Sequence, residues 1–109
     1  MNFYNMGPLE QEVMEYVWGK REASVSDVHK HFKRSRKIAY TTLMTVMARL
    51  VDKGYLTRKK QGKAYLYYPK KTKGQTAKGE IKRIVDSLVD HYGKEAVTAF
   101  TDELKKHRY

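Results

Sequence analysis

The stretch Ile38–Pro69, IAYTTLMTVMARLVDKGYLTRKKQGKAYLYYP, decides the fold, because its hydrophobic period changes halfway along. From Ile38 to Lys53 apolar residues return every three or four positions. Leu43, Val46, Met47 and Leu50 share one face of a predicted helix that stops at Lys53-Gly54. The opposite face carries Thr41, Thr42, Thr45 and Arg49. Threonine is a mediocre helix former, so three of them outward are either merely tolerated or serve a surface that must come close to something. Short side chains with a hydroxyl and a methyl let a helix approach base edges. After Gly54 the period becomes two: Tyr55–Lys60 is predicted as a strand, Gln61-Gly62 as a tight turn and Lys63–Tyr68 as the returning strand before Pro69.

Working back toward the N-terminus, Pro8 followed by Leu9, Val13, Tyr16 and Val17 predicts a first helix over Pro8–Trp18, ended by Gly19. Ser24-Val25-Ser26-Asp27 has the form of a capping box with Asp in place of Glu. Val25, Val28, His29 and Phe32 then predict a short second helix to about Lys33, and Lys33–Lys37 (KRSRK) a basic turn. The predicted fold is mainly α with a small β-hairpin: a winged helix-turn-helix over residues 1–70, with the third helix suited to a major groove and the hairpin as the wing.

Downstream, Pro69–Lys78 is polar and predicted as a helix-poor connector. Ile81, Ile84, Val85, Leu88 and Val89 then form one apolar stripe, broken at Gly93, and Ala96, Val97, Phe100 and Leu104 form another, closed by the bases Lys105, Lys106 and Arg108. Two amphipathic helices cannot bury both stripes alone. They must pack on the first domain or on a second copy of the chain, and the connector favours the second copy. Residues 71–109 are therefore expected to be a helical dimerisation tail built on Ile81, Ile84, Val85, Leu88, Val89, Val97, Phe100 and Leu104.

Charge follows the same divisions. The 109 residues carry 23 Lys+Arg against 12 Asp+Glu, a formal net charge of +11. Residues 1–29 hold two bases against five acids, whereas residues 30–63 hold eleven bases against Asp52 alone. Such a concentration of like charge opposes folding and is relieved by a polyanion, so double-stranded DNA is the expected partner. Arg36, Lys37, Arg49, Lys59, Lys60 and Lys63 are the expected phosphate contacts. Four of these have local alternatives: Arg49 could pair with Asp52 one turn on, and Lys59, Lys60 and Lys63 on the hairpin could serve only to block edge pairing.

Other function classes find little support. No cysteine is present, so zinc fingers, thiol nucleophiles and disulfide frameworks are excluded. No metal or cofactor is expected: His29 and His31 point to different sides of a helix, and His91 and His107 fall on separate helices. No Gly-rich phosphate loop, paired carboxylates or Ser-His-Asp set suggests an enzyme. No apolar run approaches a membrane span, and the N-terminal stretch MNFYNMGPLEQEVMEYVW lacks the pattern of a signal peptide; a cytoplasmic protein without membrane partners is expected. A general nucleic-acid binder held by counterion release alone, or a protein-interaction module, are the competing expectations.

The residues also resemble a known family. LEQEVMEYVW, SVSDVHKHF and IAYTTLMTVMARLVDKGYLTRKKQGKAYLYYP look like the penicillinase repressor family, the BlaI/MecI-type regulators with their copper-responsive CopY relatives. The shared elements are Glu10, Val13, Met14 and Trp18 in the first helix, Tyr40-Thr41-Thr42 with Arg49-Leu50 in the third, and Lys53-Gly54-Tyr55-Leu56 at the start of the wing. The segment DSLVDHYGKEAVTAF resembles the family's dimerisation region more loosely. The resemblance implies a homodimeric repressor on a palindromic operator, with Tyr40, Thr41, Thr42 and Thr45 facing the major groove; read alone, Tyr40 could equally be a core aromatic. Two departures matter. The Asn-Phe bond cut in β-lactam-responsive members occurs here only as Asn2-Phe3, at the other end of the chain, and the cysteine cluster of copper-responsive members is absent.

Overall fold

The computed structural model describes residues 5–107. They form two compact units, one running to Thr76 and one beginning at Ala77. The first unit contains α1 (Pro8–Lys20), β1 (Ala23–Ser24), α2 (Val25–Lys33), α3 (Tyr40–Asp52), β2 (Leu56–Gln61) and β3 (Ala64–Pro69). The helices α4 (Lys73–Tyr92) and α5 (Lys94–Lys105) follow. This is the mainly helical winged helix-turn-helix that the change of period predicts.

The core is assembled from the inward stripes of the three helices, closed by one residue from each long strand. Val13, Met14 and Val17 of α1, Val28 and Phe32 of α2, and Leu43, Met47 and Leu50 of α3 are buried together with Leu56 of β2 and Tyr67 of β3. Ser24 caps α2 as expected: its hydroxyl accepts from the Asp27 N–H at 3.1 Å, and the Asp27 carboxylate accepts from the Ser24 N–H at 3.0 Å. At the end of α3 the Gly54 N–H donates to the Val51 carbonyl and the Tyr55 N–H to Leu50. Gly54 stands at φ 85°. This Schellman closure needs a left-handed residue after the helix, and it turns the chain directly into β2.

Several boundaries differ from expectation. Helix α1 runs through Gly19 to Lys20, and the reversal falls on Arg21 at φ 72°. An interior glycine weakens a helix without being obliged to end it, and the later reversal delivers Ala23 to a buried position in β1. That two-residue strand, too short to show a period, pairs antiparallel with β3 (Ala23 opposite Tyr67), so the hairpin belongs to a three-stranded sheet of order β1-β3-β2. Helix α3 starts at Tyr40, with Ile38 and Ala39 outside it. The hairpin turn is Gly62-Lys63, since Gln61 pairs with Ala64. Gly62, at φ 64°, takes the first turn position, where a type II′ turn needs glycine. The expected connector is half helical: α4 begins at Lys73, capped by a Thr72/Gln75 box with hydrogen bonds of 3.0 and 2.9 Å.

Long-range polar contacts fasten the first unit at its ends. The Trp18 indole N–H donates to the Lys71 carbonyl at 3.1 Å, holding the chain that leaves β3 against α1. Glu10 of α1, itself buried, accepts through Oε1 from Lys53 Nζ at 2.9 Å and from the Gly7 N–H at 3.1 Å. Burial by itself raises the Glu10 pKa. The bonds from Lys53 and Gly7, with the charges of Lys53 and Arg49, outweigh it and hold the carboxyl below its ordinary 4.5. Because the folded value lies below the unfolded one, this stabilisation is fully present above about pH 4.5 and disappears as pH falls through the folded value. Glu10→Gln should lower stability at pH 7 by about 1–3 kcal/mol. In urea unfolding the gap to the parent protein should close in acid; a gap independent of pH would mean that the charge of Glu10 contributes nothing.

Candidate nucleic-acid interface

Burying Leu43, Val46, Met47 and Leu50 leaves one direction for the rest of α3, and Tyr40, Thr41, Thr42, Thr45 and Arg49 are all exposed. The helix begins after Ala39, which offers no side-chain cap. Its first N–H groups, on Tyr40, Thr41 and Thr42, therefore present the positive end of the helix dipole outward. The Thr45 hydroxyl donates back to the Thr41 carbonyl at 3.1 Å, leaving its methyl and an acceptor lone pair outward. Thr41 and Thr42 make no side-chain hydrogen bond among the described residues. Tyr40 is 43% exposed and stands edge-on to His29 of α2, ring centroids 5.6 Å apart; it is a surface aromatic braced from one side. Thr42, Thr45 and Arg49 line one open depression with Gly7, Pro8, Leu9 and Glu10 of the α1 N-terminus. Arg49 lies near enough to Glu10 to lower its pKa, and no Arg49–Asp52 ion pair forms among the described residues.

The basic side chains fall into distinct settings. Lys37 is exposed in the extended segment before α3. Arg36 is exposed too, but its Nη2 is paired with Glu12 Oε2 of α1 at 2.6 Å and its guanidinium lies over the Phe32 ring. On the wing, strand alternation separates two neighbours expected to act together. Lys60 shares a ribbon face with Arg58 and Tyr65, whereas Lys59 lies on the other face, with its Nζ 5.9 Å from the centre of the Tyr68 ring. Lys63 occupies the turn.

Two outward residues escaped the sequence reading. Met44, on α3, is 48% exposed; its place off the Leu43–Leu50 stripe was the available signal. Arg58 stacks over Tyr65 at 4.3 Å from the ring centre and donates from Nη1 to the Tyr67 hydroxyl at 3.4 Å, the bond that chiefly raises its pKa. Only the strand register, which sets Arg58 opposite Tyr67, reveals that cluster. His29 and His31 diverge as expected, His29 toward Tyr40 and His31 toward Tyr16 at 4.4 Å. Among the described residues no cluster of His, Asp or Glu is built to hold a metal.

In the second unit neither α4 nor α5 has a buried residue. Ile84, Val85 and Leu88 are half-buried, while Ile81, Val89, Val97, Phe100 and Leu104 are exposed. No helix among the described residues is long and apolar enough to cross a membrane.

A core-anchored third helix with an uncapped outward start, followed by a basic two-stranded wing, defines the winged helix-turn-helix class of transcription regulators. Within that class the chain belongs to the penicillinase repressor family, whose model matches residues 6–108. It is 37% identical over 65 residues to the transcriptional regulator BlaI of Mycobacterium tuberculosis, a match covering 59% of this chain and 47% of that protein. To the methicillin resistance regulatory protein MecI of Mammaliicoccus sciuri it is 34% identical over 65 residues, covering 60% and 53%. The chain thus spans about half the length of these relatives. Among solved structures, the monomeric form of Bacillus licheniformis BlaI in complex with the blaP half-operator aligns with a TM-score of 0.55 and 25% identity, covering 67% of this chain and 89% of that one.

Proposed function

We propose that this protein is a transcriptional repressor that binds a palindromic operator as a homodimer and blocks a promoter. The observation that carries the reading is the outward face of α3: an uncapped helix start with exposed Tyr40, Thr41 and Thr42, set in the segment where bases outnumber acids eleven to one. Base readout falls to Tyr40, Thr41, Thr42 and Thr45. Lys37, Arg49, Lys59, Lys60 and Lys63 contact phosphates, with Lys59 and Lys60 serving backbones on the two sides of the wing. Arg36 joins them by exchanging Glu12 for a phosphate. The winged helix, residues 1–70, holds the DNA, and residues 71–109 pair two copies through the apolar stripes of α4 and α5, whose exposure is what a second chain would cover. The half-operator complex of the Bacillus licheniformis relative supports this reading, and such a repressor works in the cytoplasm.

Selection of bound sequences from a random duplex pool at near-physiological salt tests it. A palindrome with half-sites about one helical turn apart is expected; salt-labile binding without a preferred sequence would favour a general nucleic-acid binder. On the selected site, Thr42→Ala should cost about 1–3 kcal/mol and relax preference at one or two base pairs, whereas equal loss on every sequence would remove Thr42 from the readers. Lys60→Ala should weaken all sequences alike and reduce the salt slope by about one unit. The double variant Val97→Asp/Phe100→Asp should sediment as a monomer and bind an isolated half-site as the parent does; a dimer would show that pairing lies elsewhere.

A further inference from the structure

The wing carries one basic side chain unlike the rest. Lys59, Lys60 and Lys63 are flexible, strongly hydrated point charges suited to phosphates. Arg58 is instead held by two tyrosines: its guanidinium lies 4.3 Å from the centre of the Tyr65 ring, and Nη1 bonds the Tyr67 hydroxyl at 3.4 Å. Both rings come from β3, and the pairing of Arg58 with Tyr67 and of Lys60 with Tyr65 puts the cluster on a single face of the ribbon. It is the face on which Leu56 enters the core beside α3. Arg58 lies about 7 Å further out along the strand, at about 3.3 Å per residue, and is itself exposed although its cross-strand partner Tyr67 still belongs to the core. Asp52 at the end of α3 is close enough to act on Arg58 electrostatically. The guanidinium is thus exposed, braced by two rings, and carried on the ribbon face whose base packs beside α3.

Resting on the proposed DNA-binding role, we infer that Arg58 reads DNA shape: it enters the minor groove next to the major groove occupied by α3 and favours a narrow, A·T-rich one. An ordinary exposed arginine loses rotamer freedom on binding, whereas one already held by two rings loses less. Its planar, weakly hydrated guanidinium gives up solvent more readily than an ammonium, and a narrow minor groove, with its enhanced negative potential, attracts such a group without base-edge hydrogen bonds. Specificity would then extend beyond the bases that α3 reaches, through a residue in no predicted contact set.

The test uses the full chain and the operator recovered by selection, remade with A·T, G·C or inosine·C pairs under the wing. Inosine lacks the guanine amino group in the minor groove and presents the same major-groove edge as guanine. The parent protein should bind the G·C version about five- to tenfold more weakly than the A·T version, and inosine should restore most of the loss. Arg58→Lys keeps the charge, so its salt slope should stay unchanged while the preference falls below about twofold. Tyr65→Leu, which removes the stacking ring, should reduce the preference to an intermediate value. Circular-dichroism melting of each variant separates these effects from misfolding. A parent protein indifferent to all three flanks, or an Arg58→Lys variant retaining the full preference, overturns the inference while leaving the repressor reading intact. Failure to select any operator overturns that reading and the inference with it.

Discussion

The structure depends on what α3 buries. Leu43, Val46, Met47 and Leu50 are locked against α1 and α2, and a helix has one rotation about its axis that satisfies such a stripe. Once it is chosen, Tyr40, Thr41, Thr42, Thr45 and Arg49 have nowhere to go but outward. The outward face, proposed as the functional one, is the complement of the core, so substitutions that loosen the inner stripe would blur the outer one without touching it. The same packing sets the wing: the Schellman closure at Gly54 joins α3 to β2 with no slack, and Leu56, two residues later, is already in the core.

Two side chains far apart in sequence hold this frame at its ends. Glu10 and Lys53, which meet at 2.9 Å, both stand in the motifs that carry the family resemblance, one in the first helix and one at the start of the wing. The pair ties the beginning of α1 to the end of α3, so the helix proposed to read bases is clamped beside the depression that Glu10 shares with Thr42, Thr45 and Arg49. Trp18, in the same first-helix motif, fastens the chain leaving β3 through its indole N–H. These residues are positional, and their motif spacing makes sense as a set of struts rather than as a binding surface.

What was legible in the sequence was whatever produces a period. The inward stripes of α1, α2 and α3, the switch to alternation after Gly54, and the Ser24/Asp27 cap are all local signals, and the elements they predict are present. What was not legible depends on partners distant in the chain. The pair Ala23–Ser24 becomes a strand only because β3 arrives beside it. Gly19 looked like a stop because composition cannot show that the chain must reverse two residues later. The Thr72/Gln75 box is a local signal too, but it lies in a polar stretch where no apolar period marks the helix it opens. On the candidate interface, α3's residues followed from helical phase, but Arg58 did not: its distinction lies in Tyr65 and Tyr67 across the hairpin, and among wing cations sequence alone ranks it no higher than Lys60.

If the tail pairs two chains as proposed, the second unit responds to dilution differently from the first. Helices α4 and α5 have no buried residue of their own, so most of the free energy that keeps them folded must come from whatever covers them, since isolated helices of 12 to 20 residues are marginal in water. On the dimeric reading, folding of the tail and pairing of two chains are one equilibrium governed by mass action. Newly made chains at low copy number would hold a folded winged helix on an unravelling tail, open to proteases and confined to single half-sites. Above a threshold concentration the tails would fold together and both half-sites would be occupied at once. Repression would then switch on steeply with the amount of protein, and its reversal would need only that the concentration fall.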